Sequence, residues 1–376
     1  MSVFNIFFCG TGSTKYDTLN DNYWDGELVS TLASHMSNRE FADWVVIDGP
    51  GSGNLQADEL FTEPKGYGWT GTAFGKGWYE NVQHAINLIK GKADWKRTKL
   101  TETEYNKLKA AGLPIQDVET EGSWLWRHYD YGDRKITQQE LQEKIIKTFR
   151  KGGVIPTQVN LVGWSRGGIS CHMLANAMAG VPSLRHIPVN IFALDPVPGP
   201  ANFQLEKVVL GKNVKEYVGF FARDERSKGF SCVIPKTDPS TKVSIFPMAG
   251  RHATLVGNAS LKGSDGPGSL TEAGRLVRHY AEVCLTRWGA PLDKKLNLTP
   301  AQISSLHQSL VIHEPSFISM RKFSYTGLTE HSKNERYVSH GDNGTHFSSL
   351  VGKTFAPQAG LSASLAKGND AYKDIH

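Results

Sequence analysis

Short apolar runs recur along the first three quarters of the chain, and segments with helical spacing separate them. Val3-Phe4-Asn5-Ile6-Phe7-Phe8, Trp44-Val45-Val46-Ile47, Gln158 to Val162, Val189 to Leu194, Glu216 to Phe221 and Val243 to Phe246 read as strands. A helix is predicted at about 78 to 90, where Trp78, Val82, Ala85, Ile86 and Ile89 share one face. Thr137 and Glu140 form a capping-box pattern for a helix to about Arg150, and a further helix runs from about Arg166 to Ala179. Ser269 and Glu272 cap a last one ending near Trp288. This alternation predicts an α/β fold of the α/β-hydrolase type, with a mostly parallel central sheet flanked by helices on both faces.

Two stretches break the rhythm. Residues 91 to 136 are polar and rich in Lys, Glu and Thr, with Trp124 and Trp126 near their end. They read as an insertion over the sheet, either a lid or a surface excursion with no role at the site. From about residue 289 the chain carries Pro291, Pro300, Pro315 and Pro357 among many Ser, Gly and His residues. The expectation is a hydrolase domain over 1–288 and a C-terminal extension or small subdomain over 289–376. That extension is expected to hold a short helix at about 299 to 310, irregular structure after it, and a fraying end from Ala359 to His376.

Composition narrows the class. With 39% hydrophobic and 21% charged residues in 376, the chain suits a soluble globular protein. A net charge of +5 is modest, and the most basic run, Asp94-Trp95-Lys96-Arg97-Thr98-Lys99, is short and reads as a solvated face. No basic stripe or nucleic-acid module is present, so no nucleic-acid partner is expected. The cysteines Cys9, Cys171, Cys232 and Cys284 form no CxxC pair or zinc pattern. Cys171 and Cys284 fall among apolar residues of predicted helices, as reduced core residues folded in the cytoplasm would. No apolar stretch approaches the ~20 residues of a membrane span. The N-terminus lacks a basic n-region and reads as a strand, so any export uses a route without a signal peptide.

The strongest chemical signal is Val159-Asn160-Leu161-Val162-Gly163-Trp164-Ser165-Arg166-Gly167-Gly168. A buried strand ends in G-x-S-x-G and a helix begins at once, as a nucleophile elbow requires. The sharp turn strains the serine backbone, and the flanking glycines leave room for it. The Oγ of Ser165 then stands at a helix N-terminus, where N–H groups and the dipole favour negative charge.

A serine hydroxyl needs a base, and the base needs an acid to orient it. In elbow folds the chain order is Ser, then Asp or Glu, then His. Asp195 closes Ile191-Phe192-Ala193-Leu194 on the same sheet edge as Ser165 and is the favoured acid; Asp224, after the next strand, is its rival, otherwise a salt-bridge partner of a neighbouring Arg. His252, in the Gly250-to-Gly257 loop, is the favoured base. His172 is expected to pack against the sheet. His340 and His346 are fallback bases, with a metal site beside Asp342 as their lesser reading. The oxyanion hole is assigned to the backbone N–H of Arg166 and to the Gly10-Thr11-Gly12 loop, with Asp48-Gly49-Pro50-Gly51-Ser52-Gly53 lining the same cleft. Neither glycine loop has the spacing of a phosphate-binding or dinucleotide motif, and the chemistry needs no cofactor or metal.

Seven motifs in this order resemble the DUF2235 family of α/β-hydrolases, which includes lipase effectors of bacterial type VI secretion. They are Phe7-Phe8-Cys9-Gly10-Thr11-Gly12, Ile47-Asp48-Gly49-Pro50-Gly51-Ser52, Gly77-Trp78-Tyr79-Glu80-Asn81-Val82, Gly163 to Gly168, Leu194-Asp195-Pro196-Val197, Arg223-Asp224-Glu225-Arg226 and Phe246-Pro247-Met248-Ala249-Gly250-Arg251-His252. The resemblance spans about residues 4 to 257. It implies a Ser165-Asp195-His252 triad and a phospholipase or related esterase activity, in some members a toxic one. It also implies a phospholipid or other lipid ester as substrate, transient contact with a membrane surface, an immunity protein or secretion-apparatus partner, and a type VI-like export route. The chain departs from the family at Cys9, where Asp is usual, and at Ala253-Thr254-Leu255-Val256-Gly257, where Asp-Val-Gly-Gly-Gly is usual. The alternatives are a soluble esterase or thioesterase on a small substrate, and a non-catalytic hydrolase fold used for binding.

Overall fold

The β-branched and aromatic runs pair into sheets, and the helical segments pack on them. A computed structural model describes residues 2–50, 78–91, 118–121, 128–131, 145–150, 152–200, 202–329, 336–339 and 344–346, with Tyr372 and Ile375. In chain order the strands are β1 (Val3–Phe8), β2 (Trp44–Ile47), β3 (Val118–Glu121), β4 (His128–Tyr131), β5 (Gln158–Trp164), β6 (Val189–Leu194), β7 (Val214–Ala222), β8 (Cys232–Val233), β9 (Lys242–Met248), β10 (Tyr337–Ser339) and β11 (Gly344–His346). The α-helices are α1 (Leu28–Ser34), α2 (Trp78–Ile89), α3 (Arg166–Gly180), α4 (Leu205–Val208), α5 (Glu272–Arg287), α6 (Pro300–Ile312) and α7 (Glu314–Ser319).

Six strands form the central sheet in the order β2-β1-β5-β6-β7-β9, every pair parallel. This is the parallel, helix-flanked α/β architecture the alternation predicts. Side chains leave each strand with a period of two, which divides the core. Phe7, Phe192 and Leu194 face one layer with Leu28, Val29 and Leu32 of α1 and Leu276, Val277 and Tyr280 of α5. Phe4, Ile6, Phe8, Ile191 and Ala193 face the other, with Val82, Ala85, Ile86 and Ile89 of α2 and Ile169 and Leu174 of α3. The chain goes from β1 outward to β2, then returns to β5 on the other side of β1. Connections that leave in opposite directions open a crevice beyond the carboxyl ends of β1 and β5. Gly10 and Ser165 stand at those two ends.

Several expectations change. The helix ending near Trp288 starts from Thr271 with no side-chain cap, so Ser269 and Glu272 form no capping box there; the Glu272 carboxylate instead accepts from His313 Nδ1 at 2.6 Å. The region after residue 310 is not irregular throughout, because α7 follows α6 directly, and Phe317 and Met320 enter the core layer of α5. Tyr372 and Ile375 are not frayed. Tyr372 is buried and stacks on Tyr280 with ring centroids 4.0 Å apart, and Ile375 is buried in the same layer. Helix α1 has no counterpart in the sequence reading, because its cap is Glu27, a residue outside the usual Ser, Thr, Asp and Asn set. Of the helix expected from Thr137, residues 145–149 are helical and the capping pair lies outside the described residues. Most of the 91–136 insertion lies outside them too; β3 and β4 pair antiparallel within it. Among the described residues no helix is long and apolar enough to cross a membrane.

Candidate active site

Strand β5 ends and α3 begins on Ser165, whose backbone is forced to φ 58°, ψ −123°. A non-glycine residue in that region stores on the order of 1–3 kcal/mol, which the surroundings must hold in place. They do so closely: Ser165 N donates to Leu194 O at 2.9 Å, and Val197 N donates to Ser165 O at 3.2 Å. The two motif glycines make the turn possible. A Cβ on Gly163 would lie 2.3 Å from the Gly167 carbonyl oxygen, and a Cβ on Gly167 would lie 2.2 Å from that of Phe8. Any side chain at either position would push α3 away from β1 and β5.

Asp195 follows β6 in a second strained turn, at φ 40°. Its Oδ2 meets His252 Nδ1 at 2.6 Å, the distance of a strong, charge-assisted hydrogen bond. Oδ1 accepts from Ala222 N at 3.1 Å, and the Nη2 of Arg336 reaches both oxygens, at 3.1 and 2.9 Å. Burial alone would raise the Asp195 carboxyl; the Arg336 guanidinium, the His252 bond and the Ala222 N–H outweigh it and hold the group below its ordinary range. Asp195 is therefore a carboxylate at neutral pH.

His252 is held from several sides. Its backbone N–H donates to Glu225 Oε2 at 3.3 Å, and the same oxygen accepts from Arg251 Nε at 3.3 Å. The ring lies 5.2 Å from that of Trp164, and Phe230 meets it edge-on at 5.3 Å. These contacts fix the imidazole plane while Asp195 occupies Nδ1, which leaves Nε2 as the nitrogen available for proton transfer.

Ser165 and His252 border one cavity of about 510 Å³. Trp164, Val197, Pro200, Phe230 and Tyr325 give it apolar walls, while Asn22, Lys228 and Asp265 add polar groups. Thr11 and Arg166 also border it. The Arg166 side chain folds back so that Nη1 donates to Thr11 Oγ1 at 2.7 Å, tying the loop after β1 to the elbow. Gly10 sits behind Thr11, where a Cβ would strike the Trp164 indole at 2.4 Å. Gly12 adopts φ 73°, a conformation glycine accepts readily. Asp48 is buried beside this loop and accepts from Lys15 N at 2.7 Å; Gly51, Ser52 and Gly53 lie outside the described residues. The Cys9 thiol is buried and pushed well up by that burial and by the Glu27 and Asp48 carboxylates, so it is neutral.

The alternatives fall elsewhere. Asp224 is fully engaged by Arg223 (2.9 Å), Arg321 (2.7 Å) and Gly250 N (2.9 Å). His172 is buried in α3, with Nδ1 2.8 Å from Lys207 O and Nε2 3.2 Å from Tyr217 Oη. His340 and Asp342 lie outside the described residues; His346 lies in β11. All four cysteines are buried and unbridged. Arg336 belongs to no motif, and Glu225 stands only within Arg223-Asp224-Glu225-Arg226, with no role marked by its pattern. Arg336 lies 141 residues from Asp195 in sequence, and no local spacing marks it.

The described residues form an α/β fold with a parallel six-stranded sheet, and Ser165, Asp195 and His252 come together at the carboxyl end of that sheet. No family model matches the chain, and no curated protein matches it. Among solved structures it is similar to an uncharacterized protein from Pseudomonas aeruginosa, with 14% identity and a TM-score of 0.36 over 77% of this chain and 46% of that one. It is also similar to the Tle1 effector solved bound to the VgrG spike of the Type 6 secretion system, with 12% identity and a TM-score of 0.34 over 70% of this chain and 52% of that one. The chain thus matches about half the length of each of these structures.

Proposed function

We propose that this chain is a serine hydrolase that cleaves carboxylic esters of lipids, with Ser165 as nucleophile, His252 as general base and acid, and Asp195 as the group that orients and balances the imidazole. The single observation that carries the reading is the 2.6 Å bond between His252 and a buried carboxylate, on a cavity that the strained Ser165 turn also borders. Ser165 Oγ attacks the acyl carbonyl carbon as His252 Nε2 takes its proton. The tetrahedral oxyanion is held by the N–H of Arg166 and the Gly10-Thr11 loop. The C–O bond to the alcohol breaks as His252 returns the proton to the leaving oxygen. Water, activated by the same imidazole, then releases the fatty acid and restores Ser165.

The apolar walls support an acyl chain as the bound group. The phospholipid, the membrane surface, an immunity or secretion partner and export to a target cell rest on the resemblance to the DUF2235 family. The polar groups Asn22, Lys228 and Asp265 favour a second reading, a small soluble ester or thioester. Lipid product analysis and fluorophosphonate labelling test both. Wild type is expected to label at Ser165 and to release fatty acid from phospholipid vesicles; Ser165→Ala does neither. Equal fatty acid release by the two proteins overturns the lipase reading. Activity on short-chain esters with none on vesicles selects the second.

A further inference from the structure

Arg336 arrives at the site from far along the chain, and three pairings bring it there. Val233 N donates to Pro196 O at 2.8 Å, which ties β8 to the turn that carries Asp195. Strand β10 then pairs parallel with β8, Val338 opposite Cys232. Cys232 Sγ also lies 3.6 Å from Tyr337 O. The residue immediately before β10 therefore falls over the Asp195 carboxylate. There the Arg336 side chain, 2% exposed, ion-pairs with Asp195 at 2.9 Å.

We infer that Arg336 is a positioning residue for the proposed acyl transfer: it fixes the Asp195 carboxylate and weakens the pull of that carboxylate on a proton at His252. The inference rests on the serine-hydrolase reading for its kinetic meaning, though not for its charge effect. A lone buried aspartate beside a histidine favours the imidazolium strongly. Here one Nη2 engages both Asp195 oxygens, so the cation shares the charge that His252 would otherwise have to itself. It also prevents rotation of the carboxyl, since turning Oδ2 away from Nδ1 would break both Arg336 bonds.

The remaining groups around the pair leave this effect in place. Glu225 faces His252 and Arg336, but its charge is spent on Arg251 and on the N–H groups of Arg226 and Ser227. Arg226 is a further nearby cation, turned onto the carbonyls of Arg223 and Glu225. Burial pushes the Cys232 thiol up to about 12, and it raises the Tyr325 and Tyr217 hydroxyls above their ordinary values, so all three are neutral around pH 7. Trp164 and Phe230 contribute no charge. Among the described residues Arg336 is thus the cation that touches the triad carboxylate.

A cation on Asp195 disfavours a second positive charge at His252. Removing that cation leaves the Asp195 charge to His252 alone. The test compares wild type with Arg336→Gln, Arg336→Met and Arg336→Lys in two measurements. The first is the pH profile of kcat/KM on a soluble chromogenic ester. The acid limb is expected to move up by about one pH unit in the Gln and Met variants and to stay at the wild-type pH in the Lys variant. The Lys variant keeps the charge on a shorter side chain that does not place its nitrogen where Nη2 lies, and its kcat is expected to fall about tenfold. The second is NMR titration of the His252 ring in a Ser165→Ala background, which reads the same shift whether or not the protein hydrolyses esters. An unchanged His252 titration in a folded Gln or Met variant overturns the inference. If neither folds, wild-type kcat in Arg336→Lys overturns it. Inactive wild type with a shifted His252 titration removes the hydrolase reading and keeps the charge effect.

Discussion

Asp195 and Asp224 follow neighbouring strands of the same sheet, both wholly buried and both paired with arginine, yet they are engaged in different ways. Asp224 is surrounded by Arg223 and Arg321, and Gly250 N completes its shell. These partners join the β7 end to the segment after α7 and to the loop before His252. Asp195 has one guanidinium among the described residues and gives its shortest bond to an imidazole that borders the cavity. A carboxylate saturated by cations is fixed structure. One that gives its shortest bond to a titratable ring can respond to proton transfer.

Substitution tests this contrast. Asp195→Asn is expected to keep the fold and lower kcat by roughly 10⁴-fold, because the amide presents the wrong partner to Nδ1. Asp224→Asn should leave the kcat of the folded protein within about tenfold of wild type while reducing stability by about 3–5 kcal/mol, since Arg223 and Arg321 lose a buried partner. Kinetics and urea denaturation on both variants check this, and a reversal of the two outcomes would exchange the roles of the carboxylates.

Glu27 extends the comparison to a buried carboxyl held by N–H and O–H donors. It accepts from Val29 N at 3.0 Å, Ser30 N at 2.9 Å and Ser30 Oγ at 2.8 Å. Burial dominates these bonds and pushes its pKa up to about 7. The folded chain therefore holds this proton more tightly than the unfolded chain. The contribution is complete below about pH 4.5, declines as pH rises through about 7 and is absent above; over that window it amounts to about 3 kcal/mol. Glu27→Gln should remove this part of the slope, as thermal or urea denaturation between pH 4.5 and 8 would show. An unchanged slope would mean that Glu27 is ionised in the fold.

The parts legible in the sequence are those whose physics is local. The strand, glycine pair and helix around Ser165 are contiguous, and the apolar runs of β1, β5, β6 and β7 announce a buried parallel sheet. Asp195 and His252 were legible as strand-end residues in the right order, and the structure brings them together. Gly10, Thr11 and Arg166 were legible as a loop and a helix start that face each other across the β1–β5 crevice. What escaped was set by long-range pairing. Nothing near Arg336 signals that β10 will lie beside β8, because a three-residue strand has too little pattern to stand out. Helix α1 escaped because its cap is a glutamate that only burial makes intelligible. The motifs gave the DUF2235 resemblance, and they alone carry it.

Arg336 also has a place in time. Ribosomes deliver the chain from its N-terminus, so Asp195 and every strand of the central sheet are synthesised before the guanidinium that balances the carboxylate exists. The electroneutrality of the buried pair is thus completed by a late arrival, and a stalled translation product ending before residue 336 would hold the Asp195 turn without that counter-charge.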